Sequence, residues 1–213
     1  MNMNFLHNFK TIKNEIKNYS DNINLIVVTK NQDFEKINHL IIQGHKDFGE
    51  NKVQEAQFKW RNYLKENSDI RLHFIGKLQS NKIKGIGEFF QFIHSLDSVK
   101  NAELLAKEEI RVSKKLKYFI QVNVVKEVQK SGIQEEHLNE LIAFCRKVNL
   151  NVIGLMCIPP ISGDSLTIFK RLQYLSSNYS LKELSMGMSN DYKDAISNGA
   201  TYVRIGSSIF NKD

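Results

Sequence analysis

The stretch Ile23-Asn24-Leu25-Ile26-Val27-Val28-Thr29-Lys30-Asn31-Gln32 decides the fold. Its nearly continuous run of β-branched and aliphatic residues is the pattern of a strand buried on both faces, as in a parallel sheet covered by helices. The turn that follows matters as much. An open, doubly wound sheet that binds a dinucleotide carries GxGxxG after its first strand, whereas Lys30, Asn31 and Gln32 stand here.

Outward from this segment, short apolar runs recur at residues 47–49, 72–76, 92–96, 118–124, 152–158, 181–186 and 202–205. With residues 23–29 they predict eight strands. Between them apolar residues repeat at helical spacing. Phe34, Ile37, Leu40 and Ile41 precede a Gly44 stop signal, and Leu138, Leu141, Ile142 and Cys145 follow Glu135 and Glu136, acids suited to a helix N-terminus. Strict β–α alternation with eight strands in 213 residues predicts α/β architecture, a single (β/α)8 TIM-type barrel spanning residues 1–213 as one domain. Residues 5–19 predict an extra N-terminal amphipathic helix. It is placed to fill the outer-ring position left by a missing eighth helix, since the sequence stops at Asp213 soon after strand eight. Pro159 and Pro160 stiffen the loop beyond strand six.

Composition narrows the function. A 41% hydrophobic chain of this length supports one sizeable core. No run of about 18 apolar residues and no signal peptide stand out, so a soluble, cytoplasmic protein without a membrane partner is expected. Cys145 and Cys157 lack metal-ligand spacing and read as core residues in a reducing compartment. The six histidines form neither HxH nor HExxH, which predicts no metal site. The net charge of +7 comes from lysines scattered along the chain that alternate with Glu over residues 100–117. That is the pattern of solvated faces, not of a nucleic-acid-binding stripe, although it favours phosphorylated small molecules.

In such barrels the chemistry sits at the C-terminal ends of the strands, and phosphates are held by the loops after strands seven and eight. Those loops read Ser185-Met186-Gly187-Met188-Ser189-Asn190 and Arg204-Ile205-Gly206-Ser207-Ser208. Small residues, free N–H groups and hydroxyls suit a phosphate dianion, though glycine and serine also populate ordinary turns. Strand one delivers Lys30 to the same face. Desolvation and a nearby cation such as Arg204 favour the neutral amine that attacks an aldehyde, while the plainer reading is a lysine that merely leaves the strand into a loop.

The segments VTK at 28–30, FGENKVQE at 48–55, HFIGKLQSNK at 73–82, KSGI at 130–133, GLM at 154–156, LSMGMSNDY at 184–192 and VRIGSSIF at 203–210 resemble, in order, those of the pyridoxal phosphate homeostasis protein family. The resemblance implies a barrel of the alanine racemase N-terminal-domain type with pyridoxal 5′-phosphate (PLP) held as a Schiff base on Lys30. It implies that Ser189, Gly206 and Ser207 grip the phosphate and that Arg204 faces the pyridine nitrogen. A guanidinium cannot accept a proton, so that nitrogen stays unprotonated and the ring is a weaker electron sink. The resemblance also implies that Asn51 and Met156 flank the ring, with His73 and Met186 as lesser candidates that equally suit barrel packing. Lys130 matches a lysine implicated in handling a second cofactor molecule. Three departures concern loop shape: Asn31, Gln32 and Asp33 follow Lys30 where a proline is usual, Leu72 stands where Trp is frequent, and Lys77 replaces a frequent Pro.

Racemisation on such a barrel needs Lys30 on one face of the substrate and a second acid/base on the other. In racemases that this fold resembles, an additional β domain of a partner subunit supplies that group, and the sequence has no residues for one. Tyr192 and Tyr202 lie near the right loops but read as packing or surface residues. The expectation is therefore a PLP-binding protein of intracellular vitamin B6 homeostasis without robust turnover, a monomer in transient contact with PLP-dependent apoenzymes. The alternatives are a PLP-dependent amino-acid racemase and a cofactor-free barrel using Lys30 for aldolase-type chemistry on a phosphorylated sugar.

Overall fold

The computed structural model describes residues 4–67, 69–125, 131–160 and 163–210. The eight runs form strands β1 (Asn24–Val28), β2 (Asp47–Glu50), β3 (Arg71–Phe74), β4 (Phe92–Leu96), β5 (Lys117–Gln121), β6 (Asn151–Met156), β7 (Glu183–Ser185) and β8 (Tyr202–Ile205). They pair in parallel, each with its neighbour in sequence, and β1 pairs with β8 to close the barrel. The helices are α1 (Asn4–Tyr19), α2 (Phe34–Ile42), α3 (Val53–Glu66), α4 (Ile86–Phe89), α5 (Val99–Val112), α6 (Glu135–Lys147), α7 (Ser165–Asn178), α8 (Tyr192–Ser197) and α9 (Ser207–Phe210).

Successive side chains on a strand point to opposite faces, and burial follows that rule. Leu25 and Val27 join the large core between sheet and helices, whereas Ile26 between them points inward with Phe92, Phe119, Met156 and Tyr202. Bulges re-aim two strands. Across from Tyr118 and Phe119, β6 places Val152 and Gly154, so Ile153 is the extra residue; a second irregularity lies between Ile93 and Leu96 of β4. Gly154 is needed for close approach, since a Cβ there would lie 2.0 Å from the Glu183 carbonyl oxygen.

The N-terminal helix occupies the outer ring as expected. Phe5, Phe9, Ile12 and Ile16 form its buried stripe. Phe5 stacks on Phe210, with ring centroids 6.2 Å apart, and the Asn8 amide donates to the Ile209 carbonyl at 3.3 Å, so α1 docks on the short α9. Among the described residues no helix is long and apolar enough to cross a membrane, and no group of three or more His, Cys, Asp or Glu side chains could hold a metal.

Candidate functional site

Two loops and one strand end meet at the C-terminal mouth of the barrel. Lys30 leaves β1 there, followed by Asn31 in the left-handed region (φ 58°), whose N–H donates to Glu55 Oε1 at 2.7 Å. Lys30, Asn51, Ser189, Arg204, Gly206 and Ser207 line one cavity of ≈ 660 Å³, walled also by Pro159 and Pro160. Six of the seven expected ligand contacts are thus brought together.

The β7 and β8 loops are tied to each other through hydroxyls. Ser189 Oγ accepts from Ser207 Oγ at 2.7 Å and from the Ser208 N–H at 3.2 Å. The Met188 N–H donates to Asp191 Oδ1 at 2.6 Å, which orders the turn, and Gly187 supplies its positive φ of 92°. On the opposite wall the chain after β3 passes so close to Asn51 that a Cβ on Gly76 would lie 2.0 Å from the Asn51 carbonyl oxygen. Asn51 Oδ1 is buried with no hydrogen-bond partner among the described residues. A buried amide oxygen without a partner costs free energy unless a ligand completes it.

Arg204 forms the floor and is 4% exposed. Its Nη1 donates to Ser185 Oγ at 2.6 Å and its Nη2 to the Cys157 carbonyl at 3.0 Å. Burial pulls its pKa below the usual guanidinium value, yet a group that basic stays charged at neutral pH. The cavity therefore carries fixed positive charge next to small hydroxylated loops. These residues fit an anionic, ring-bearing cofactor: hydroxyls at one wall, a close-packed glycine and an unpartnered amide oxygen at the other, a guanidinium in the floor and an amine at the rim.

Several placements differ from expectation. Lys30 is exposed at the rim, so the desolvation expected of a strand-end lysine is not supplied by the fold. Met156 is fully buried inside the barrel against Ile26, Phe92, Phe119 and Tyr202 and is not among the residues lining the cavity. Met186 points outward into the helix-facing core, and His73 points into the barrel. Lys130 lies outside the described residues. In the turn after Lys30, Asp33 adopts φ −67°, a value that a proline could also take. Of the two tyrosines, Tyr192 donates to Glu15 Oε2 of α1 and Tyr202 packs in the barrel interior.

Sequence reading placed Ser185 in the phosphate loop and missed His94 and Asp47; all three share the barrel interior with Arg204 and His73. The available signal was polar residues at inward-facing positions of otherwise apolar strands, as in Phe92-Ile93-His94-Ser95-Leu96.

Comparison with known proteins agrees with this geometry. The family model described as alanine racemase, N-terminal domain, matches residues 3–212. A pyridoxal phosphate homeostasis protein of Pseudomonas aeruginosa is 39% identical, covering 88% of this chain and 84% of the relative. The one from Haemophilus influenzae is 33% identical over 98% of this chain and 95% of its own length. PipY of Synechococcus elongatus PCC7942, solved with PLP bound, superposes with a TM-score of 0.88 at 29% identity, covering 97% of this chain and 100% of that one. An alanine racemase of Clostridium difficile 630 shares the fold at 14% identity and a TM-score of 0.76, with this chain spanning 57% of it. A barrel closed in the same order, matched along nearly its whole length by such relatives, belongs to the pyridoxal phosphate homeostasis protein family, built on the alanine racemase N-terminal domain.

Proposed function

We propose that this chain binds pyridoxal 5′-phosphate on Lys30 as a single domain over residues 1–213 and serves intracellular PLP homeostasis without robust catalytic turnover. The observation that carries the reading is one cavity lined at once by Lys30, Arg204, Gly206, Ser207 and Ser189. PLP supplies an aldehyde that condenses with an amine and a ring that withdraws electrons. The Lys30 amine is the group placed to attach it. Ser189, Ser207 and the Gly206 backbone hold the phosphate, with Ser189 and Ser207 already preorganised by their mutual hydrogen bond. Arg204 presents cationic N–H donors to the ring nitrogen and, lacking a basic lone pair, keeps a proton off it. Asn51, which lines the same cavity and has an Oδ1 without a hydrogen-bond partner among the described residues, flanks the ring.

A carrier reading is supported over a racemase by what surrounds the cavity. Neither Tyr192 nor Tyr202 lines it, and its carboxylate, Asp191, accepts the Met188 N–H. A monomer in the cytoplasm that meets PLP-dependent apoenzymes transiently completes the proposal.

Purified protein mixed with PLP is expected to develop a visible band that borohydride bleaches, with peptide mapping placing the reduced adduct on Lys30. Lys30→Ala should lose both. Failure to take up PLP overturns the reading, and sustained racemisation of L-alanine by chiral analysis replaces it with the enzyme alternative.

A further inference from the structure

Arg204 is joined to the far end of the barrel by an unbroken run of hydrogen bonds. Its Nη1 donates to Ser185 Oγ at 2.6 Å, and Ser185 Oγ lies 2.8 Å from His94 Nδ1. His94 Nε2 lies 2.9 Å from His73 Nδ1, and His73 Nε2 lies 3.0 Å from Asp47 Oδ1. Arg71 closes the run with Nε at 2.6 Å from Asp47 Oδ1 and Nη2 at 2.5 Å from Oδ2. Ser185, His73 and His94 are each 0% exposed. The two ends open on different recesses: Arg204 on the cavity that holds Lys30, Asp47 and Arg71 on one at the N-terminal mouth beside Gly44 and Lys46.

The direction of every proton in this run follows from its far end. Burial opposes charge on Asp47, but the Arg71 and His73 hydrogen bonds outweigh it and hold the carboxyl well below the usual range, so Asp47 only accepts. His73 Nε2 must then carry hydrogen. Burial keeps both imidazoles neutral, lowering each pKa, so His73 Nδ1 is an acceptor and His94 Nε2 must donate to it. His94 Nδ1 is consequently an acceptor and takes the single Ser185 hydroxyl hydrogen. Only lone pairs of Ser185 remain for Arg204. The planes of the two imidazoles are fixed as well, His73 stacked on Phe92 and His94 on Phe119 with centroids 4.3 Å apart in each case.

We infer that this barrel-spanning run is a positioning device for the cofactor ring. The Asp47 charge at one mouth dictates the tautomers of His73 and His94 and the rotor of Ser185, and so fixes the Arg204 guanidinium at the other mouth. Two of the five N–H donors of Arg204 are engaged by Ser185 and the Cys157 carbonyl, and this anchoring fixes the plane of the guanidinium where it lines the cavity. His94, at the centre, is a positioning residue that acts through Ser185 and Arg204. The inference rests on the proposed binding of PLP.

The test loads wild-type protein, His94→Phe, His73→Phe and Ser185→Ala with PLP labelled with 15N at the pyridine nitrogen and follows that resonance against pH. His94→Phe retains ring volume and stacking while removing both hydrogen bonds. The expected result is a shift in the ring-nitrogen titration of about one pH unit or more in every variant, a tenfold change in its protonation, with borohydride still fixing the label to Lys30. His73→Phe, three hydrogen bonds from Arg204, should shift in the same direction by less than His94→Phe. Titrations that match wild type in all three variants overturn the inference. A shift confined to Ser185→Ala overturns it too, because the effect then stops at the direct contact of Arg204. Should His94→Phe fail to fold, His73→Phe decides. If wild type itself takes up no PLP, the proposed function fails first, which is a separate outcome.

Discussion

Lys59→Met is expected to remove about 3–5 kcal/mol of folding stability, the usual cost of stripping one partner from a buried ion pair. Glu50, at the end of β2, is 0% exposed and lies 2.9 Å from Lys59 Nζ, a side chain only 8% exposed. Thr29 Oγ1 at 2.8 Å and Trp60 Nε1 at 3.0 Å converge on the same Glu50 Oε1. Lys59 also donates to the Thr29 carbonyl at 2.7 Å and to Glu55 Oε1 at 3.1 Å. Methionine keeps the stem and removes the charge, which leaves Glu50 sealed without its cation. The exposed Lys107–Glu103 pair, at 67% and 54% side-chain exposure, is the control, and Lys107→Met should change stability by less than about 0.5 kcal/mol. Urea denaturation compares the two, and equal losses would sink the argument. Thr29 immediately precedes Lys30, so the same variant should also weaken PLP uptake.

The second large effect is acid destabilisation from histidines buried as neutral rings. Burial pushes His45 down to about 4, and it lowers His73 and His94 as well. Each titrates near 6.5 once unfolded, so between that value and its folded value the unfolded chain binds more protons. Their stabilising contribution is complete above pH 6.5 and is lost as pH falls toward 4. For His45 alone the loss is on the order of 3 kcal/mol by pH 4, from a shift of 6.5 to about 4. Asp47, held low by Arg71 and His73, stays charged across this window and does not mask the effect. Unfolding free energies measured at pH 7.5, 6, 5 and 4.5 should fall steadily. A flat profile down to pH 5 would show that the rings are not sealed.

The barrel was legible because its strands are punctuated runs of aliphatic residues and because helices such as those around residues 34–41 and 138–145 carry a stop or start signal. Strand ends were less legible. Residues 118–124 read as one strand, but β5 stops at Gln121 and Val122 forms only an isolated bridge to Ile133. Likewise β6 ends at Met156, before the chain turns into Pro159 and Pro160. Apolar residues leaving a barrel look the same in sequence as those within it.

The loops of the candidate site were legible for a different reason: their glycines and serines sit at known strand ends of a known architecture. The exposure of Lys30 was not, because it depends on how far the β1 turn projects past the mouth. Nor was the polar interior. His94 and Ser185 are 91 residues apart and become partners only when β4 and β7 point into the same closed barrel. A histidine among apolar neighbours carries no mark in sequence of which residue it faces.

The two cysteines offer one more consequence. Both are buried, and burial pushes each thiol up to about 12, so at neutral pH only a trace exists as the nucleophilic thiolate. An alkylating reagent must wait for the molecule to breathe. Labelling of Cys157, whose carbonyl holds Arg204, is expected to follow opening at the mouth, and labelling of Cys145, on the buried face of α6, to follow larger openings that undock this helix. The ratio of their labelling rates is thus an internal gauge that separates opening at the mouth from these larger openings.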